Sequence, residues 1–422
     1  MLLSNVKGSV HVPLIFACDN AGTRRALLIS SLLFVAAVMP AWAQAPEDDS
    51  RVAVIEDAQA EKTKTLQPYV PSKEERVMDR VQSTLVNPVE TWHPFFENAY
   101  RGGGFALGAG YMHHVSAFNY LDVRGSYSIR NYKRVEAEFI SPRLFHRRAE
   151  LSVLGGWRDA TEVAFYGVGP DTSSGDRANY GFERPYASAL LTMRPTRRLL
   201  MLRGGLELTR WRLKSGAGGD PSIEDVYTPA ELPGLQTSTT YVHSQGTVGF
   251  DWRTAPGYSR RGGFYGVTVH DYHDRDDALG FRQVDYEAIQ HIPILREAWV
   301  VSLRGLAETT WSKDGQEVPF FMLPSLGGGT NLRGFSSWRF RDRHSLLLQA
   351  EWRIMANRFF ETAVFYDTGK VAAHASDLNL DGLKTDYGFG ARFHTPFSTA
   401  LRIDVARSDE GTRLVFAMSP VF

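Results

Sequence analysis

From about residue 100 to its last residue the chain keeps returning to one pattern, and that pattern leaves few folds open. In Leu401-Arg402-Ile403-Asp404-Val405-Ala406 every second residue is apolar, and the intervening set carries charge. Leu346, Leu348, Ala350, Trp352 and Ile354 alternate with Gln349, Glu351 and Arg353. Leu200, Leu202, Leu206 and Leu208 likewise alternate with Arg203, Glu207 and Thr209. Period two sends the two sets to opposite faces of a sheet. A soluble sandwich alternates too, with its polar face in water. Here the segments run about ten residues and recur many times, which suits tilted strands that cross a bilayer with apolar residues outward. Backbone groups in lipid must pair within the protein, so such a sheet has to close. The pattern predicts an all-β fold, a transmembrane antiparallel β-barrel.

Fifteen strands can be placed, near 104–113, 118–128, 133–141, 149–159, 180–193, 199–212, 239–252, 263–272, 281–292, 297–310, 345–355, 360–371, 385–394, 399–407 and 413–422. Bacterial single-chain barrels have even counts. A sixteenth strand is therefore expected within 89–100. The long connections, 213–238 and 311–344, should be extracellular, and the short turns with Pro or Gly periplasmic.

The N-terminal part explains how such a barrel would reach its membrane. Arg24 and Arg25 precede an apolar run from Ala26 to Met39, then Pro40 and Ala41-Trp42-Ala43. This describes a secretory signal peptide over residues 1–43, with a start that reads as over-long. A rival lipoprotein site at Cys18 follows a shorter run broken by Pro13 and would leave the better signal uncleaved. Beyond residue 43 no stretch of 18 apolar residues follows, so any membrane span must be made of strands. Residues 44–70 are polar without a sustained period and read as a flexible linker. Ser72 and Glu75 form a capping-box pattern, and Val77, Val81 and Leu85 share one helical face. One amphipathic helix over about 72–86 is predicted, ended by Pro88, within a periplasmic segment 44–99. It suits a membrane surface, a plug for the barrel mouth, or packing on the barrel rim.

Composition removes several function classes. Lys+Arg and Asp+Glu number 47 each, so charge gives no argument for a nucleic-acid partner. A single cysteine excludes a disulfide scaffold and a cysteine-based zinc site. Asp377-x-Asn379-x-Asp381-Gly382 begins like a calcium loop, but position twelve is Gly388 rather than Glu. Asp271 to Asp277 reads as a solvated loop, and His113-His114 lacks a third ligand. No nucleophile, metal or phosphate motif is present. No metal, no cofactor and no enzymatic activity are expected.

Two motifs carry a family resemblance. Gly327-Gly328-Gly329-Thr330-Asn331-Leu332-Arg333-Gly334-Phe335 lies in the longest loop of the C-terminal half, and Phe365-Tyr366-Asp367-Thr368-Gly369 lies two strands later. Together they resemble the bacterial surface antigen family, the barrel part of BamA- and TamA-type outer-membrane assembly proteins. Asp251-Trp252-Arg253 with Pro256 and Gly262-Gly263 is similar to that family's periplasmic turn. Phe165 to Gly169 and Tyr387 to Arg392 also resemble it, so the likeness covers about 100–422.

The resemblance implies that the loop of Leu332, Arg333, Gly334 and Phe335 folds back into the lumen and that Arg333 meets Asp367. Period two puts Phe365, Asp367 and Gly369 on one face, and Glu351 on the intervening strand is a second candidate partner. A guanidinium in a narrow lumen can hold a carboxylate bidentately. Leu414, Phe416, Met418, Pro420 and Phe422 alternate to the last residue, which resembles the recognition signal through which barrel-assembly machinery inserts its clients. Residues 44–99 are too few for a POTRA domain, so the resemblance is to a POTRA-less member.

The implied function is insertion, translocation or rearrangement of protein or lipid at the outer membrane. The implied partners are membrane lipid and a client strand at the seam between first and last strands. Two other readings stay open: a passive pore or structural barrel, and a membrane anchor for a periplasmic partner.

Overall fold

The computed structural model describes residues 51–65, 71–81, 91–196, 199–295, 297–395 and 398–422. The expected signal peptide and the rival site at Cys18 lie outside them. The chain divides into two units, Met1–Val70 and Pro71–Phe422, of which the second holds the barrel.

In the first unit, Arg51–Thr65 is an α-helix (α1) where a flexible linker was expected. Its Ala, Glu, Gln and Lys residues favour helix without any apolar period, and period was the signal sought. The second unit opens with helix α2, Lys73–Val81. The capping box is formed: the Ser72 N–H donates to Glu75 Oε2 at 2.8 Å, and the Glu75 N–H to Ser72 Oγ at 3.1 Å. The remainder of the predicted helix, with Leu85, lies outside the described residues, as do the side chains of Val77 and Val81.

The sheet is one sixteen-stranded antiparallel meander in which every strand pairs with its sequence neighbours. The strands are β1 Trp92–Phe95, β2 Ala106–His114, β3 Tyr120–Ser128, β4 Lys133–Arg143, β5 Ala149–Phe165, β6 Ala178–Met193, β7 Leu200–Ser215 and β8 Ser238–Asp251. They continue as β9 Gly262–Asp274, β10 Phe281–Ile294, β11 Trp299–Ser312, β12 His344–Asn357, β13 Phe360–Ala372, β14 Lys384–His394, β15 Thr399–Ser408 and β16 Gly411–Ala417. The sixteenth strand is thus β1, with Trp92 to Phe95 set against Tyr111 to Gly108.

Alternation sorts the side chains as the sequence suggests. Leu206, Leu208, Val248, Val364 and Phe389 are exposed on the outer, lipid-facing side, while Asp367, Arg402 and Asp404 on the inner side are buried. One end of the sheet carries seven short turns. Aromatic pairs lie close to it: Trp299 with Trp352, Trp252 with Tyr265 and Trp92 with Tyr111, as expected at a membrane interface. The other end carries the long loops. There Ile223, Leu232, Leu235, Phe320, Phe321 and Trp338 pack into one apolar cluster with Phe182 and Trp211. This cluster covers the lumen from the long-loop side.

One expectation is corrected at the last strand. It ends at Ala417, and residues 418–422 leave the ladder. Phe416 and Met418 stay exposed on the outer face, whereas Phe422 turns inward onto Met201, Phe264 and Ile289. Pro420 has no N–H to give a ladder, which removes one reason for the strand to continue.

Candidate functional site

The longest connection, residues 313–343 between β11 and β12, gives Phe320, Phe321 and Trp338 to that cover and also enters the barrel. Its neck is a two-residue pairing of Ser325 and Leu326 with Arg341 and Phe340. Asn331 stitches the tip. Its Oδ1 accepts from the N–H groups of Gly327 and Leu332, both at 2.9 Å, and its Nδ2 donates to Ser325 O at 3.3 Å. Leu332 and Phe335 are buried against Leu326, Phe340, Leu347 and Val371, so apolar burial seats the loop on the β12–β13 wall. Gly369 lies beneath this seat, where a Cβ would stand 2.5 Å from Leu346 O on the neighbouring strand and 3.0 Å from Leu326 Cδ1. Gly334 permits the closest approach: a Cβ would stand 2.6 Å from Asp386 Cβ and 3.0 Å from Ser408 Cβ.

Arg333, fully buried, occupies the centre. Its Nε donates to Asp367 Oδ2 at 2.6 Å and its Nη2 to Asp367 Oδ1 at 2.8 Å, a bidentate fork. Nη1 donates to Glu351 Oε2 at 2.9 Å and lies 3.4 Å from Asp404 Oδ2. The Phe365 ring lies beneath the guanidinium, its centroid 3.4 Å from Cζ.

The network extends past the residues that the sequence singled out. Arg392 grips Glu351 through Nε at 3.1 Å and Nη2 at 2.8 Å, and reaches Asp404 at 2.9 Å. Arg402 donates to Asp404 at 2.8 Å and to the loop carbonyl of Gly329 at 2.6 Å. Gln349 bridges Asp367 and Asn331 O at 3.1 and 2.9 Å. Three guanidiniums thus face three carboxylates, and a fourth acid, Asp386, is buried beside Asp367 on β14. Arg392, Arg402, Asp404 and Gln349 were missed. Alternation places each of them inward, but which inward residues of β12, β14 and β15 meet is set by strand register and tilt.

The loop also spans the junction between the first and last strands of the sheet. Neither the free edge of β1 nor that of β16 has a ladder partner. On the β16 side, Arg413 donates to Ser336 Oγ at 3.0 Å, and a Cβ on Gly329 would stand 2.7 Å from Val415 Cγ1. On the β1 side, Trp338 Nε1 donates to Arg101 O at 2.9 Å, and Trp338 stacks on Tyr100 with ring centroids 4.6 Å apart. One loop therefore touches both sides of the seam from within. At the short-turn end, turn 252–261 reaches across the lumen. Tyr258 donates to Glu361 Oε2 at 2.6 Å, and the Thr399 N–H to Gly257 O at 3.0 Å. Between the loop and β6–β11 remains a cavity of about 640 Å³, lined by Arg101, Arg184, Arg304, Glu207, Glu308 and Trp211 among others.

A sixteen-stranded barrel with an Arg-bearing loop tied to the lumen wall invites comparison with known proteins. The model of the Omp85 superfamily domain matches residues 119–419. The chain belongs to the Omp85 superfamily. No match is found among curated protein sequences. Among solved structures, BamA from Haemophilus ducreyi lacking POTRA domains 1–3 is similar at 17% identity with a TM-score of 0.59, over 78% of this chain and 69% of that one. CdiB from Escherichia coli is similar at 12% identity with a TM-score of 0.50, over 78% of this chain and 59% of that one. At these identities the likeness is one of fold. In this Omp85 barrel the described residues ahead of β1 form two helices rather than a folded periplasmic domain.

Proposed function

We propose that this Omp85 barrel inserts, translocates or rearranges protein or lipid in the bacterial outer membrane, with the β1–β16 seam as the working surface. The observation that carries the reading is the state of the seam. β1 pairs over four residues and β16 over seven, and neither outer edge has a ladder partner among the described residues. An unpaired edge is a template for another strand. The inward loop braces both sides and so sets how far the edges stand apart. A client strand arriving from the periplasm would add to such an edge and gain its backbone hydrogen bonds out of water.

The test uses a lock between loop and last strand. The short reach from Gly329 to Val415 suits a disulfide made by Gly329→Cys with Val415→Cys. Vesicles holding the wild-type barrel should speed the folding of a urea-unfolded outer-membrane barrel, read as its heat-modifiable band, over protein-free vesicles. The oxidised double variant should lose that gain and regain it with reductant. Equal folding rates in wild-type and empty vesicles would remove insertase activity. Equal rates in oxidised and reduced variant would remove the seam.

A further inference from the structure

The two ends of the barrel differ sharply in charge. Among the described residues the seven short turns carry seven arginines against one acidic residue, Glu297, whereas acidic residues outnumber basic ones sixteen to nine in the connections of the other end. Several of the turn arginines are already engaged. Arg194 and Arg253 hold Asp251, Arg261 faces Glu297, and Arg358 meets Glu75. The turn between β4 and β5 is different. Arg143, at the end of β4, and Arg147 and Arg148 in the turn are exposed, and none is in an ion pair with a carboxylate among the described residues. Arg143 lies over the Phe118 ring of the neighbouring turn, 3.7 Å from its centroid.

Two further features point to a membrane rather than water. Phe145 at the apex is 63% exposed, and Val153 continues an exposed apolar surface along β5. An aromatic ring left in water gains nothing, whereas at headgroup depth it is at home. Phe145, His146 and Arg147 also hold positive φ values of 48°, 60° and 67° in succession, an unfavourable path for residues with side chains.

We propose that the β4–β5 turn is a binding site for the phosphate headgroups of anionic phospholipids in the leaflet at the short-turn end, with Arg143, Arg147 and Arg148 supplying the charge and Phe145 the anchor. Arginine forks match phosphate oxygens, and a basic cluster beside an apolar wall reads as an anionic-lipid site. The site is separate from the seam and does not depend on the insertion reading.

The experiment is spin-labelled lipid resonance on the full barrel in phosphatidylcholine bilayers, comparing labelled phosphatidylglycerol with labelled phosphatidylcholine. The wild type should prefer phosphatidylglycerol about twofold, averaged over the lipid shell, with the preference falling towards one as salt rises. Joint replacement Arg143→Gln, Arg147→Gln and Arg148→Gln should bring it to one at low salt, with heat-modifiable mobility kept as the check on folding. Should that variant not fold, Arg147→Gln alone must lower the ratio. No wild-type preference, or one that survives the replacements, overturns the site. Loss of preference to inorganic phosphate, beyond that caused by chloride at matched ionic strength, would make it a free-phosphate site and overturns the lipid assignment. So would binding of a polyglutamate peptide in neutral micelles with no lipid preference.

Discussion

Arg333→Ala should cost the barrel about 3–5 kcal/mol of stability, because it leaves Asp367 and one face of Glu351 buried without their cation. The loss should appear as conversion of the heat-modifiable band at lower temperature and as faster proteolysis within residues 327–341. In planar bilayers the wild type should be mostly closed, since the apolar cluster covers one mouth and turn 252–261 crosses the other. The variant should open more often and close erratically. Asp367→Ala should give a similar defect. Residues that share one fork are not additive, so Arg333→Ala with Asp367→Ala should be less damaging than the two single losses summed. A steady open wild-type channel, unchanged by Arg333→Ala, would argue for a simple pore whose loop carries no constraint.

Gly334→Val should be nearly as severe, for a reason that involves no charge. The backbone there passes so close to β14 and β15 that even a Cβ collides with Asp386 and Ser408. Valine adds two more carbons on a stiff side chain. The loop must then rise by more than the neighbouring backbones can give, which breaks the hydrogen bond from Ser408 Oγ to Gly334 O and pulls Arg333 out of its fork. The expected readout is the same early melting and the same erratic conductance. Gly334→Val with wild-type melting would mean that the loop docks elsewhere.

What could be read in advance follows from how local each signal is. Leu401 to Ala406 declares a strand within six residues, and β15 is found at Thr399–Ser408. The count of sixteen followed from parity, because Trp92–Phe95 is too short to announce itself. The pairing of Arg333 with Asp367 was expected from the motif and its family resemblance, not from period. Asp404, Arg392 and Arg402 were inward on the same alternation, yet inward positions recur on every strand. Only the register of β12 to β15 selects those that converge. Phe422 was misplaced because alternation in sequence continues past Ala417 while hydrogen bonding does not. The helix over Arg51–Thr65 was invisible to a search for apolar stripes, being built from propensity alone.

The inward loop also has a place in time. Arg333 is made before every acid that holds it: Glu351, Asp367 and Asp404 all follow it in the chain, on β12, β13 and β15. Closing this network requires contacts that span up to 71 residues and the pairing of nearly all the remaining strands first. Until β15 is in place a buried guanidinium has no full set of partners, and the loop has every reason to stay in water. The complete network can therefore form only once β15 is in place. A chain stalled short of its last strands would carry an undocked, protease-sensitive loop, and would be marked as unfinished by its own sequence order.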